Sequence, residues 1–269
     1  MRNQRNAPKT VEIIVRGLCF DKIKIMKKEI VGTLSKTQIV PHIRTQLKKN
    51  SDAKTRASFQ RFFKQTVLCH GVKSETVGKI SKENYTHVSS LSKKELYSVA
   101  EDLFKSGYCE ESWIAAGWVH RKGDYAESDF SFYERWINKY IDNWAECDTF
   151  CNHTVGAFIE KYPKYTCKLK VWAKSKNLWL RRAAAVSLII PAREGKFLKD
   201  VFEISDIMLL DKGDMVQKGY GWLLKVASHK HQKEVLGYVL KNKDKMPRTA
   251  LRYAIEKMPE SLRKKAMAK

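Results

Sequence analysis

Residues 37–269 predict an all-α fold, an α-solenoid with irregular repeats, although an ordinary helical bundle stays open on the pattern alone. Three observations carry this. Helical hydrophobic patterns follow one another from Thr37 with breaks of only a few residues, and helices joined so tightly pack as antiparallel neighbours. No strand alternation appears after residue 37. From residue 144 on, the helices form pairs at a period of roughly 35 residues, near the range of HEAT and armadillo arrays, without a strict repeat.

In chain order, residues 1–36 read as an N-terminal appendage of a different character. Thr10–Val15 is β-branched and suits a strand, and Lys22–Ile30 suits a basic helix. The helical domain, residues 37–269, then predicts helices near 37–49, 54–67, 74–82, 92–106, 110–121, 131–141, 144–161, 164–174, 178–190, 194–208, 215–228, 230–242 and 247–257. Ser92 with Glu95, and Ser131 with Glu134, have capping-box spacing. So do Asn143 and Glu146, and Pro247 suits a first helical turn.

The chain carries 52 Lys and Arg against 29 Asp and Glu, a formal net charge of +23. This excess is spread along the chain, which favours a folded polyanion binder, with nucleic acid as the first candidate. A solenoid offers a long concave face that suits a duplex. No run of about 18 apolar residues exists to span a membrane, and no signal-peptide pattern opens the sequence. The six cysteines lack CxxC spacing, which points to a reducing compartment, and a cytoplasmic location is expected. Cys147 and Cys151 fit a buried helical stripe and His153 points away from it, so no metal site and no cofactor are assigned.

Asn143-Trp144-Ala145-Glu146-Cys147-Asp148 is the centre of the functional reading. Trp144 and Asp148 are one helical turn apart on one face, with Cys147, Cys151, Val155 and Phe158 beside them. An acid at the margin of such a stripe loses water and needs a partner or a use. The helix from Leu178 has Arg181 and Arg182 as its only charges, and a guanidinium there needs an anion. The carboxylate of Asp148 and an external phosphate are the two candidates. On the helix from Met215 to Ser228, Val216, Tyr220, Leu223, Leu224 and Ala227 form the apolar stripe. Lys218, Trp222 and Lys225 fall opposite, which reads either as packing against a neighbouring repeat or as a ring presented to a ligand beside phosphate-holding cations.

Phe62-Phe63-Lys64 with His70-Gly71-Val72, Asn143 to Asp148, Asn177 to Ala184, Lys218 to Lys225 and Pro247 to Ala254 together resemble the DNA alkylation repair glycosylases with HEAT-like repeats (the AlkD type). The resemblance covers the chain from about Thr37. It implies a superhelix of HEAT-like antiparallel helix pairs and a monofunctional glycosylase that removes cationic alkylated purines of the 3-methyladenine and 7-methylguanine type from duplex DNA, as a monomer and without a cofactor. By the same resemblance Asp148 is the active aspartate, Trp144 and Trp222 are the aromatic walls, and Arg182 holds phosphate. Arg181, Lys218, Lys225 and Phe62 join the expected DNA-binding set.

The chemistry suits these residues. A cationic purine leaves without a general acid, and a carboxylate beside the sugar stabilises the oxocarbenium-like transition state and positions water. Trp faces favour a cationic base. The sequence departs from the family in having Asp214 and Met215 where an aromatic pair is expected, and Phe62 where Tyr is common. Both departures bear on lesion preference and DNA grip. A non-catalytic DNA-binding solenoid and a protein–protein scaffold are the alternatives, since fold does not settle function.

Overall fold

The structure, a computed structural model, describes residues 34–268. The expected strand at Thr10–Val15 and helix at Lys22–Ile30 lie outside them. The described residues are all-α, and their one β-type pairing is an isolated bridge between Leu68 and Tyr108. The chain divides into two compact units, the first ending at Asp124 and the second beginning at Tyr125.

The first unit holds α1 (Lys36–Lys49), α2 (Ala53–Gln60), α3 (Ser74–Ser89), α4 (Lys93–Phe104) and α5 (Cys109–Lys122). α4 packs on α5, and α1 packs on α3 and α4, burying Ile43, Leu47, Val77, Leu96, Leu103, Ile114 and Trp118. Burying each such side chain contributes about 1.5–3 kcal/mol. The capping box at α4 forms as expected: Glu95 N–H donates to Ser92 Oγ at 3.3 Å and Ser92 N–H to Glu95 Oε2 at 3.0 Å.

The expected helix 54–67 stops early, at Gln60. The Gln60 amide explains this, because it donates to the Gln65 carbonyl at 2.7 Å and accepts from Val67 N–H at 3.1 Å, folding the chain back. A buried clasp holds the far end of the loop. Glu110 accepts the backbone N–H groups of His70, Gly71 and Val72 at 2.9, 2.9 and 3.1 Å. Glu111 takes the His70 ring at 2.9 Å and Arg44 Nε at 3.0 Å. Gly71 sits at φ +83°, and a side chain there would meet the Asp52 carbonyl at 2.7 Å, so only glycine closes this turn.

The second unit holds α6 (Asp129–Lys139), α7 (Trp144–Phe150), α8 (Gly156–Lys161), α9 (Thr166–Trp172), α10 (Leu178–Val186), α11 (Ile189–Arg193), α12 (Leu198–Ile207), α13 (Asp214–Ala227), α14 (Gln232–Asn242), α15 (Arg248–Ala254) and α16 (Glu260–Met267). Trp136, Tyr133, Phe150, Phe158 and Trp172 fill its core, and α13 packs on both α10 and α15.

Three sequence readings are corrected in this unit. Ser131 does not cap α6. The helix starts earlier, at Asp129, whose carboxylate accepts the Ala126 N–H at 2.7 Å; an acid in the first turn is favoured by the helix dipole. The expected helix 178–190 breaks after Val186. Pro191 has no N–H to give and its ring crowds the Ser187 carbonyl. Gly156 lies against that carbonyl, where an added Cβ would come within 3.0 Å. Finally, α16 was not expected at all. It follows Pro259 and buries little beyond Ala266, so its sequence carries a weak apolar stripe.

Candidate active site

The run 144–161 is one continuous helical segment, as expected, but not uniformly α. Asn143 caps α7, its side chain accepting the Glu146 N–H at 3.1 Å. The π-helical turn Cys151–Val155 then joins α7 to α8. Such turns insert one residue into the helical ladder and recur at functional sites. Trp144 stands at the start of α7 and is buried. Asp148, one turn later, is 0% exposed.

α10 brings the counter-charge. Arg182, 4% exposed, grips Asp148 with two parallel bonds, Nε to Oδ1 and Nη2 to Oδ2, each 2.8 Å. Its third nitrogen, Nη1, donates to the Met215 carbonyl at the start of α13 at 2.5 Å. This fork-on-carboxylate geometry is the strongest that a guanidinium makes. Burial pushes the Asp148 carboxyl above the ordinary aspartate range, and Arg182 recovers only part of that shift. For Arg182, burial acts to lower the pKa, and the charge of Asp148 overcomes it and leaves it raised. Beneath them, burial drives the Cys147 thiol well up, and its neighbour Cys151 adds to the shift, so Cys147 is an inert core thiol.

Arg182 therefore takes Asp148, one of the two candidate anions for α10, whereas Arg181 takes Asp211, which was neither of them. Arg181 binds Asp211 Oδ2 through Nε at 2.6 Å and the carbonyls of Ser175 and Lys176 through Nη1 at 2.9 and 3.1 Å. These bonds tie it into the loop before α10 and to Asp211.

α13 supplies the other expected residues, arranged differently from the helical-wheel reading. Trp222 is half-buried. Lys218 is partly exposed and pairs with Asp214 at 2.9 Å. The expectation that Lys225 lies on an open face is corrected. It is buried, its Nζ 3.2 Å from Glu256 and 5.7 Å from the centre of the Tyr253 ring. The reason is Gly221. An added Cβ there would fall 2.7 Å from Tyr253 Cβ and 2.8 Å from the Ala250 carbonyl. Lacking one, α13 lets α15 close over the face that carries Lys225. Phe62 belongs to the first unit, on the loop after α2, and is 44% exposed.

The structure thus gathers Asp148, Arg182 and the start of α13 into one buried centre, with Trp144 at the head of the same helix. Sequence reasoning passed over Asp211, Glu256 and Tyr253. The signal that pointed to the last two was Gly219-Tyr220-Gly221, since paired glycines in a helix mark a close neighbour.

A family model described as DNA alkylation repair enzyme matches residues 43–258. The chain belongs to this family. The resemblance read from the sequence motifs is borne out at that level. Among solved structures, the chain is similar to one described as a predicted DNA alkylation repair enzyme from Enterococcus faecalis. The two share 14% identity over 78% of this chain and 98% of that one, with a TM-score of 0.71. At that identity the likeness establishes the shared fold. A weaker likeness, TM-score 0.49 at 15% identity, joins 86% of this chain to 66% of the Pseudomonas fluorescens alkylpurine DNA glycosylase AlkC bound to DNA containing an abasic site analog. No curated protein matches the chain. Among the described residues no helix is long and apolar enough to cross a membrane.

Proposed function

We propose that this DNA alkylation repair protein is a DNA glycosylase that hydrolyses the N-glycosidic bond of cationic alkylated purines in duplex DNA. The observation that carries the reading is Asp148, a carboxylate wholly removed from water, destabilised by burial and held by one arginine, one turn from a tryptophan. An acid that burial perturbs beside a specific charge partner is a candidate reacting group, and here it stands with a tryptophan on the same helix.

In this reading the base leaves with the positive charge it already carries. The carboxylate of Asp148 stabilises the oxocarbenium-like deoxyribose and orients the attacking water. Trp144 and Trp222 face the cationic nucleotide. Arg182 covers Asp148 in the free protein, and a backbone phosphate drawing on that guanidinium exposes the carboxylate to the sugar. Lys218 and Phe62 are proposed DNA contacts. Arg181 and Lys225, tied to Asp211 and Glu256, act through the packing of the helices that carry the site. The protein is proposed to work as a monomer in the cytoplasm.

A second reading is favoured by one observation, the complete enclosure of Asp148: a DNA-binding protein that keeps the scaffold without the reaction. The two are separated by incubating the protein with methylated duplex DNA and identifying free bases by mass. Release of 3-methyladenine or 7-methylguanine supports the glycosylase; binding without release supports the second reading.

A further inference from the structure

Tyr253 of α15 is a group that the proposed chemistry leaves unused. Its backbone end is fixed, because Tyr253 Cβ sits where a side chain at position 221 would otherwise lie. Its ring carries the Lys225 ammonium at 5.7 Å, and Lys225 is in turn held by Glu256, three residues on in the turn that follows α15. The ring is therefore positioned from two sides.

The phenol end is different. Among the described residues, the hydroxyl of Tyr220 donates to Leu209 O at 3.3 Å and that of Tyr238 to Asp206 Oδ1 at 2.8 Å. Tyr253 makes no such bond to any described residue, and its side chain is partly exposed. It nevertheless lies close to the buried pair, because α13 takes Arg182 against Gly219 and Tyr253 against Gly221, two residues on. Burial pushes the phenol up to about 12, Arg182 opposes this, and Glu256, Asp214 and Asp148 add to it. It stays protonated at neutral pH, a neutral donor among charged groups.

We propose that Tyr253 is a substrate-contacting residue, its hydroxyl donating a hydrogen bond to a phosphate oxygen of the DNA strand that Arg182 engages. This rests on the glycosylase reading for its substrate, and it adds a donor that the charged pair does not supply. A neutral phenol suits the position. A further cation beside Arg182 would compete for Asp148, whereas a phenol grips a phosphate without doing so.

The test compares Tyr253→Phe with Tyr253→Ala in the full chain. The melting temperature is measured together with affinity for an undamaged duplex and base release from methylated duplex. Tyr253→Phe keeps the ring, the packing against Gly221 and the Lys225 contact, so its melting temperature should match the wild type. Its duplex affinity should fall about tenfold, the order of one hydrogen bond to a charged acceptor. Tyr253→Ala should lose both melting temperature and affinity. If Tyr253→Phe restores affinity along with stability, Tyr253 is a packing residue and the proposal is overturned. Failure of the glycosylase reading looks different: the wild type releases no base, while Tyr253→Phe still weakens duplex binding.

Discussion

Each unit contains a buried carboxylate facing a cation, and the two are built in contrasting ways. In the first unit, Glu111 receives His70 and Arg44, while Glu110 beside it satisfies three backbone N–H groups. Burial acts to raise the Glu111 pKa, but the bonds from His70 and Arg44 overcome it and hold the carboxyl below its ordinary range. In the second unit Asp148 has Arg182, and burial wins. The first arrangement folds a loop; its charges are worth more in the protein than in water. The second keeps an acid where it is electrostatically uncomfortable. Buried ion pairs give weak net stability at best, so Asp148 and Arg182 are better explained by what they do than by what they hold together.

The contrast can be broken first at Arg182. Replacing it with alanine strands the Asp148 charge inside the second unit, and we expect a loss of about 3–5 kcal/mol in chemical denaturation. A loss under 1 kcal/mol would mean that the pair is not closed in solution. Glu110→Ala should cost about 3 kcal/mol or more, since it orphans three backbone donors at roughly 1 kcal/mol or above each. That loss should appear as exchange of the His70, Gly71 and Val72 amides. Retained protection of those amides would contradict the clasp.

The pH dependence sharpens the comparison because the signs are opposite. Glu111 is lowered from 4.5, so its contribution is present above that value and is lost as pH falls through the folded value. Asp148 is raised from 3.8, so its contribution is fullest below that value and is lost as pH rises through the folded one. Between about pH 5 and pH 3, Glu111→Gln should therefore flatten the acid loss of stability, and Asp148→Asn should steepen it. Parallel slopes for the two variants would remove the distinction. The smallest effect belongs to Arg44, whose side chain is 42% exposed. Arg44→Ala should cost under about 1 kcal/mol, and a larger loss would mean that this exposed arginine carries the clasp.

Much of this was legible in the sequence. Helix periodicity and short breaks gave the all-α class, and the apolar stripe around Cys147 and Cys151 placed Asp148 at a buried margin. The need of the α10 arginines for anions was plain, but which anion each took was not. Asp211 and Asp148 lie 30 and 34 residues from their arginines, and no local spacing encodes such pairs. The face of Lys225 was misread because a helical wheel knows nothing of a neighbour. Only the glycine at 221, by admitting α15, shows that this face is covered. The early stop at Gln60 depended on one side chain capping its own loop, a choice that helix propensity does not register.

The central claim is that Asp148 is held in its uncomfortable site for catalysis. The most direct measurement is base release by Asp148→Asn, made at a temperature where the variant is shown to be folded and to bind duplex DNA. Some loss of stability is expected, because Arg182 loses its charged partner. The account predicts retained duplex binding and excision of 7-methylguanine reduced about a hundredfold or more, the order lost with one electrostatic stabiliser. A folded Asp148→Asn protein that excises at the wild-type rate would contradict it.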